Sequence, residues 1–226
     1  MLKFFKKIIT IVSLYVILVL LFIILNFVSI NTILVKILIF LIIVYGALLI
    51  IKIIRYESYV DLIIKENTID PLTRVYNRRY LFNSINKEIQ RKRRYKDIFS
   101  IIVLDIDNFK SLNDAYGHLV GDKVLRTLGN LLKKHTRNLD IPCRYGGEEF
   151  VVILPGTNLA GAEIVANKIR CEFLKYTFRL GNKRFSRTLS GGIAEYKSGN
   201  AEDLIKKADK ALYKAKKSGK NLICKS

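Results

Sequence analysis

Four carboxylates in two short motifs are the residues best able to do chemistry. Asp105 and Asp107 close an apolar run in Leu-Asp-Ile-Asp, and the alternation of a strand puts both side chains on one face. Glu148 and Glu149 follow a pair of glycines, which is a turn signal between two runs of strand-forming residues. If that hairpin pairs beside the first strand, the two acidic motifs meet at one edge of a sheet.

The oxygen-only character of this cluster indicates which metal it would bind. Hard carboxylate ligands without histidine favour Mg²⁺ over zinc, and Mg²⁺ usually completes its shell with substrate phosphates. Gly146 and Gly147 carry no side chains, so a bulky anion can approach the backbone there. In a basic domain, these features predict two-metal phosphoryl or nucleotidyl transfer.

The apolar pattern after residue 70 predicts the elements that position these motifs. Helices are expected over 78–94, 109–113, 122–134, 159–176 and 201–217. His118 and Gly121 are expected to break the helical pattern between the second and the third of these helices. Strands are expected over 98–104, 142–145, 150–154, 178–180, 185–196 and 221–224. The order predicts an α+β fold in which helices cover one face of a central, mainly antiparallel sheet.

Charge and hydrophobicity are segregated along the chain. The 226 residues include 39 Lys or Arg and 19 Asp or Glu, giving +20, yet half of all residues are hydrophobic. This composition excludes a disordered chain, a collagen and a disulfide-rich secreted module. The three cysteines are widely spaced and lack metal-ligand spacing, so we expect reduced thiols in a reducing compartment.

The apolar residues concentrate in residues 1–54, where we predict two membrane spans, 8–30 and 33–54, joined as a tight hairpin by Asn31 and Thr32. Lys36 alone lies on the predicted outer side. The cations on the other side are Lys3, Lys6, Lys7, Lys52 and Arg55. This bias predicts that both termini are cytoplasmic. A signal peptide is the alternative, but the apolar run is too long and no cleavage site follows it.

Residues 55–69 are predicted to form a helical linker. Its apolar positions recur at spacings of three and four, the a/d pattern of a short parallel coiled coil: Ile53, Tyr56, Val60, Ile63 and Asn67. We therefore expect a homodimer. The alternative is a helix that packs on its own domain.

The motif Gly-Gly-Glu-Glu-Phe at 146–150 resembles the signature of the GGDEF family, the diguanylate cyclases. Four further blocks resemble family motifs in order and spacing: 70–79, 105–114, 117–122 and 208–216. The similarity covers roughly residues 68–225. It implies that residues 70–226 form a GGDEF domain with the palm-like fold of nucleotidyl cyclases.

The resemblance implies roles for the acidic motifs. Asp105, the Ile106 carbonyl, Glu148 and Glu149 would hold two Mg²⁺ ions, or Mn²⁺, over a triphosphate. One glutamate would also deprotonate the ribose 3′-hydroxyl, and the sequence leaves open which of the two is the base. Asp107 is expected to cap the following helix, with metal binding as the alternative. The catalytic set is completed by Lys110, which would neutralise charge on the phosphates.

The resemblance also implies the GTP contacts. Asn113, Asp122 and His118 would form the guanine loop, where a carboxylate can accept from two guanine donors that adenine lacks. Turn or cap roles are the alternative for Asn113 and Asp122. The phosphate-binding residues would be Gly146, Gly147, Lys216 and Lys220, although the family usually has Arg at the last position.

Arg137 and Asp140 resemble the family's inhibitory site, at which the product cyclic di-GMP binds, and Lys168 would add a second cation. A local ion pair between Arg137 and Asp140 is the alternative.

Taken together, the resemblance implies a diguanylate cyclase anchored in the bacterial cytoplasmic membrane and in contact with its lipids. A homodimer would condense two GTP into cyclic di-GMP and two pyrophosphates, with one half-site on each protomer. The alternative is a catalytically inactive receptor for GTP or cyclic di-GMP that signals through a partner. Nucleic acid is not expected as a partner, because no aromatic residues are interleaved with the cations and no groove-reading motif is present.

Overall fold

The computed structural model describes residues 13, 15–17, 19–20, 23, 33–66, 68–181 and 183–226. The chain divides into two compact units, Met1–Asn67 and Thr68–Ser226.

The first unit contains one long helix, α1, over Ile33–Glu66. Its segment Ile37–Tyr56 has a mean hydropathy of 3.0 over 20 residues, enough to cross a bilayer at ~1.5 Å per residue. It is the one candidate span in the described part of the chain, so the described residues do not support the predicted hairpin of two spans. Most of the predicted span 8–30 lies outside the described residues.

Helix α1 continues past residue 54, where the predicted second span ends and the predicted helical linker begins. It runs on to Glu66 and includes four positions of the predicted coiled-coil seam: Ile53, Tyr56, Val60 and Ile63. The fifth position, Asn67, lies outside the described residues. The helix therefore continues beyond the apolar segment Ile37–Tyr56 into the predicted linker.

The described residues of the second unit form five helices and seven strands. The helices are α2 Arg78–Tyr95, α3 Phe109–Tyr116, α4 His118–His135, α5 Leu159–Lys175 and α6 Ala201–Lys217. The strands are β1 Phe99–Ile106, β2 Ile141–Gly146, β3 Glu149–Pro155, β4 Phe178–Leu180, β5 Lys183–Phe185, β6 Leu189–Glu195 and β7 Ile223–Lys225.

Five strands form a mixed sheet in the order β2-β3-β1-β6-β7. Every neighbouring pair is antiparallel except β6 and β7, which are parallel. Strands β4 and β5 form a separate hairpin. The α+β class and the mainly antiparallel sheet are confirmed, with the predicted first strand at the centre.

Helices cover both faces of this sheet, so the expectation of one covered face was wrong. Ile102 and Leu104 of β1 pack with α4 and α5, whereas Ile101 and Val103 pack with α2 and α6. All eight residues of β1 are buried. Its apolar run is therefore the pattern of a strand covered on both faces.

Two predicted boundaries also differ from the structure. Helix α4 begins at His118, so neither His118 nor Gly121 interrupts it. A side chain at Gly121 would collide with that of Asn113 in α3, so the glycine serves close packing of the two helices rather than a break. The predicted strand 185–196 is two strands, β5 and β6, since pairing with β1 begins at Leu189.

Candidate active site

The two acidic motifs meet at one edge of the sheet, as the sequence predicted. Antiparallel pairing of β1 and β3 sets Asp105 directly opposite Glu149, and Glu148 is in the turn just before it. Asp105 is 5% exposed, although it lies at the end of its strand. The relative position of the Asp105 and Glu149 carboxylates is thus fixed by strand pairing and not by a loop.

The pKa of each of these three carboxyl groups is raised above its ordinary value. Burial is the main cause for each of them, and the charge on Asp105 adds to the effect on Glu148 and Glu149. The ammonium of Lys216 lowers all three pKa values, but it does not offset burial. The cluster therefore has more negative charge than its own surroundings neutralise.

A divalent cation fits this surplus. Asp105 Oδ1 is buried and has no hydrogen-bond partner, while Oδ2 lies 2.7 Å from Nζ of Lys216. Within the described ranges, no three Asp, Glu, His or Cys side chains converge into a complete ligand set. Mg²⁺ is usually bound by one or two carboxylates, and substrate phosphates complete its shell.

The two predicted phosphate lysines are both engaged with acidic or polar side chains. Lys216 pairs with Asp105, and Lys220 donates to Asn108 Oδ1 at 2.6 Å. Asn108 immediately precedes α3, whose first turn presents the exposed side chain of Lys110. Lys216 and Lys220 are therefore held near the C-terminal end of β1, and Lys110 is exposed in the first turn of the helix that follows.

The predicted guanine loop lies where α3 and α4 meet. Asn113 Oδ1 is buried without a hydrogen-bond partner, and Gly121 leaves the space that its side chain occupies. Asp122 is partly exposed and lies 3.7 Å from Arg126. His118 begins α4 directly after Gly117, which has a φ of +82°. Since Gly117 caps α4 without any side-chain bond, neither Asn113 nor Asp122 is its cap.

Asp107 does not cap α3, contrary to expectation. Its oxygens accept from Thr188 Oγ1 at 2.8 Å, Ser190 Oγ at 2.8 Å and the Asn221 backbone N–H at 3.0 Å. The N-cap of α3 is Asn108, which makes no capping bond. Asp107 thus ties the end of β1 to β6 and to the turn before β7.

The structure adds Arg144, which sequence reasoning missed. Its Nη1 donates to both carboxylate oxygens of Asp70 at 3.2 and 3.3 Å. Its Nε and Nη2 donate to the Gly147 carbonyl at 3.0 and 2.8 Å. The side chain therefore links the N-terminal turn of the domain to the turn that presents Glu148.

Asp70 is the fixed end of this link. Burial raises its pKa, but hydrogen bonds from the Thr73 hydroxyl and N–H, together with Arg144, hold the pKa of that carboxyl below its usual value. The 74 positions between Asp70 and Arg144 explain why local sequence patterns gave no signal for the pair.

Two further charges act on Glu149. The negative Asp209 of α6 raises its pKa, and the positive Arg78 of α2 lowers it. Arg78 lies over the Tyr145 ring at 4.8 Å. Helical periodicity could have placed Arg78 and Asp209 on their helices, but not near the hairpin.

Arg137 and Asp140 lie in the loop before β2, yet their side chains form no ion pair. Instead, Asp140 Oδ2 accepts from the Arg137 backbone N–H at 2.7 Å, and burial raises the pKa of Asp140. A cavity of about 310 Å³ opens beside them and is also lined by Gly161 and Ile164 of α5. Lys168 does not line this cavity.

Comparison with known proteins identifies a family that matches this chain. Residues 67–222 match the family described as diguanylate cyclase, GGDEF domain. The chain is 40% identical over 158 residues to the response regulator PleD of Caulobacter vibrioides, covering 68% of this chain and 35% of PleD. It is 39% identical over 155 residues to diguanylate cyclase DgcP of Pseudomonas aeruginosa, covering 68% of this chain and 23% of DgcP.

Among solved structures, the GGDEF domain of DgcB from Caulobacter crescentus, in complex with c-di-GMP, superimposes with a TM-score of 0.68 at 30% identity. The match covers 70% of this chain and 95% of that domain. The chain spans about a third of the length of PleD and less than a quarter of DgcP. The fold is a palm-like α+β fold, with a mixed sheet flanked by helices. The chain belongs to the GGDEF family.

Proposed function

We propose that the protein is a diguanylate cyclase that condenses two GTP into cyclic di-GMP and releases two pyrophosphates. The observation that carries this proposal is the pairing of Asp105 with Glu149 across β1 and β3, with Asp105 Oδ1 buried and unpartnered. An intact acidic site in a GGDEF domain supports catalysis over a role as an inactive receptor.

Asp105, the Ile106 carbonyl and the two glutamates would hold Mg²⁺, two ions in each active site, with Mn²⁺ as a substitute. When bound, the metal would offset charge on the triphosphate and acidify the attacking hydroxyl. Lys216 would exchange Asp105 for the phosphates, which Lys110 and Lys220 would also contact. Backbone at Gly146 and Gly147 leaves room for that approach.

Either Glu148 or Glu149 would accept the proton of the ribose 3′-hydroxyl. Burial raises the pKa of both carboxyl groups, which makes each a stronger base than a solvated glutamate. Asp122 would accept from the two Watson–Crick donors of guanine, with Asn113 and His118 beside it. The unpartnered Asn113 Oδ1 supports a ligand-binding role for that side chain.

Two domains must face each other, because the 3′-hydroxyl of each GTP attacks the α-phosphorus of the other. A homodimer with approximate two-fold symmetry would satisfy this requirement, and pairing of α1 helices would hold the protomers together. Product bound at Arg137 and Asp140 would then inhibit synthesis.

We also propose anchoring in the bacterial cytoplasmic membrane, with a hairpin of two spans and both termini cytoplasmic. The apolar segment Ile37–Tyr56 supports one of these spans. The positive charge of the chain would favour anionic lipid at the inner leaflet.

The test is to incubate the full chain in detergent with GTP and Mg²⁺ and to identify the product by mass spectrometry. Cyclic di-GMP and pyrophosphate are expected in a one-to-two ratio, and the Glu149→Gln variant serves as control. Tight GTP binding without any product would instead support the receptor alternative.

A further inference from the structure

A second cavity, of about 250 Å³, lies on the N-terminal side of the Arg137 loop. It opens between the turn that follows Asp70 and the C-terminal end of α4. Its polar lining consists of Arg74, Tyr76, Lys133, Thr136, Arg137, Asn138 and Asp140. Apart from Arg137 and Asp140, it shares no lining residue with the cavity beside α5.

Three cations converge on this cavity. Arg74, Lys133 and Arg137 are all exposed, and none has a carboxylate within 4.0 Å in the part of the chain that the structure describes. The one lining carboxylate, Asp140, is directed to the Arg137 backbone N–H. The C-terminal end of α4 adds only about half a negative charge. The cavity therefore remains positive.

The backbone at Arg74 adopts a left-handed conformation. Its φ of +58° lies in a region that is unfavourable for a residue with a side chain. The turn is fixed by bonds from the Arg74 N–H to the Asp70 carbonyl and from the Asp70 N–H to the Val75 carbonyl. The turn therefore holds the Arg74 backbone at a fixed place in the lining of the cavity.

We infer that Arg74, Lys133 and Arg137 form a binding site for a phosphate group. Two guanidinium groups can each make paired hydrogen bonds to phosphate oxygens, and the lysine adds a point charge. The ligand is either free phosphate or the phosphate of a lipid headgroup. A phosphate bound here would contact the turn that Asp70 and Arg144 tie to Gly147.

The experiment titrates the full chain, held in neutral phosphatidylcholine nanodiscs without nucleotide or metal, with inorganic phosphate in a calorimeter. Arg74→Gly and Lys133→Ala are each expected to weaken binding at least tenfold. Lys96→Gly is the matched control for the first, since Lys96 also has a left-handed φ, +60°, but lies outside the cavity.

Lys134→Ala is the matched control for the second, because Lys134 neighbours Lys133 in sequence but acts on Glu172 instead. Both controls should bind as the unaltered chain does. A parallel titration with glycerophosphoglycerol, the soluble headgroup of phosphatidylglycerol, separates the two sources. Preference for inorganic phosphate identifies a free ligand, and equal or tighter binding of the headgroup identifies lipid.

Absence of binding by both probes, or equal loss in the control variants, would overturn the site. These outcomes are independent of cyclase activity, because no GTP is present.

Discussion

Asp105 presents one carboxylate oxygen to Lys216 and leaves the other buried without a donor. We expect Asp105→Asn and Glu149→Gln each to lower cyclic di-GMP synthesis by several orders of magnitude, since each removes a metal-ligand charge but keeps the side-chain shape. Thermal unfolding followed by circular dichroism should stay close to that of the unaltered chain. Near-normal synthesis by either variant would contradict the metal assignment.

Glu149 also makes a pH-dependent contribution to stability. Its folded-state pKa is raised above the ordinary 4.5, mainly by burial and then by Asp105, so the folded chain binds this proton more tightly than the unfolded chain. That contribution is fully present below pH 4.5 and is lost as the pH rises through the folded-state pKa.

In metal-free buffer, the free energy of unfolding of Glu149→Gln should therefore increase relative to that of the unaltered chain as the pH rises from 4 to 7. Urea titrations at several pH values measure this difference. A difference that shrinks with rising pH would show that the carboxylate is stabilised in its charged form.

Asp122 is expected to decide base choice. Asp122→Ala should weaken GTP binding by about 1–3 kcal/mol, because two guanine donors lose their acceptor, and discrimination against ATP should shrink with it. Arg126→Ala is the matched control, since it removes only a partly exposed ion pair of 3.7 Å. Equilibrium binding of both nucleotides checks this. If Asp122→Ala bound GTP with unchanged affinity and unchanged selectivity over ATP, the role of Asp122 would be only structural.

At the scale of elements, Arg144 joins the N-terminal turn to the hairpin of β2 and β3 with four hydrogen bonds. Arg144→Met should lower kcat about tenfold or more, because the turn before Glu148 loses its anchor, and should cost about 2 kcal/mol of unfolding free energy. The KM for GTP should rise as well, since Arg144 holds the backbone of Gly147, a predicted phosphate-binding residue.

Asp70→Asn completes a double-mutant cycle for this link. If Arg144 acts through Asp70, the double variant should lose less activity than the two single losses combined. Fully additive losses in kcat would mean that the two residues act independently.

The elements that local patterns specify were predicted well. Strand β1 and the hairpin tip follow from an apolar run and a glycine pair, both short-range signals. The start of α4 was missed because its glycine, Gly121, is accommodated by contact with Asn113 of α3. Tertiary packing outweighed the local helix-breaking tendency of glycine there.

The second covered face of the sheet depends on similar contacts. Gly192 of β6 has no room for a side chain because the backbone of α6 at Ala208 and Leu212 lies against it. Such a close approach between distant segments has no signal in the sequence other than the glycine itself.

At the scale of the whole molecule, the sequence predicted which residues belong to the site but not which of them contact one another. The sequence predicted that the two acidic motifs would meet if the hairpin paired beside the first strand, and that pairing is observed. The register that sets Asp105 opposite Glu149 was not predicted. The contact of Lys216 with Asp105 joins residues more than 100 positions apart, and no periodicity encodes it. The resemblance to the family implied that Lys216 lies near Asp105, but it implied a contact of Lys216 with substrate phosphates and not an ion pair with Asp105.

The last prediction concerns the two units of the chain. If catalysis needs two facing domains, the rate per protomer must rise with concentration until dimers saturate. A truncated chain, Thr68–Ser226, keeps the compact second unit but lacks α1 and its a/d positions. Its specific activity should be low when dilute and should climb steeply on concentration, as enzyme assays over a dilution series would show.

Fusing a parallel leucine zipper in the register of Tyr56, Val60 and Ile63 should restore activity at low concentration, because it replaces the lost pairing with a high effective concentration. One residue inserted after the zipper turns its helix by about 100°, so this control should dimerise equally well and recover less activity. Sedimentation analysis checks dimerisation in both fusions. A specific activity that is independent of concentration in the truncated chain, and unchanged by the zipper, would contradict the two-domain mechanism.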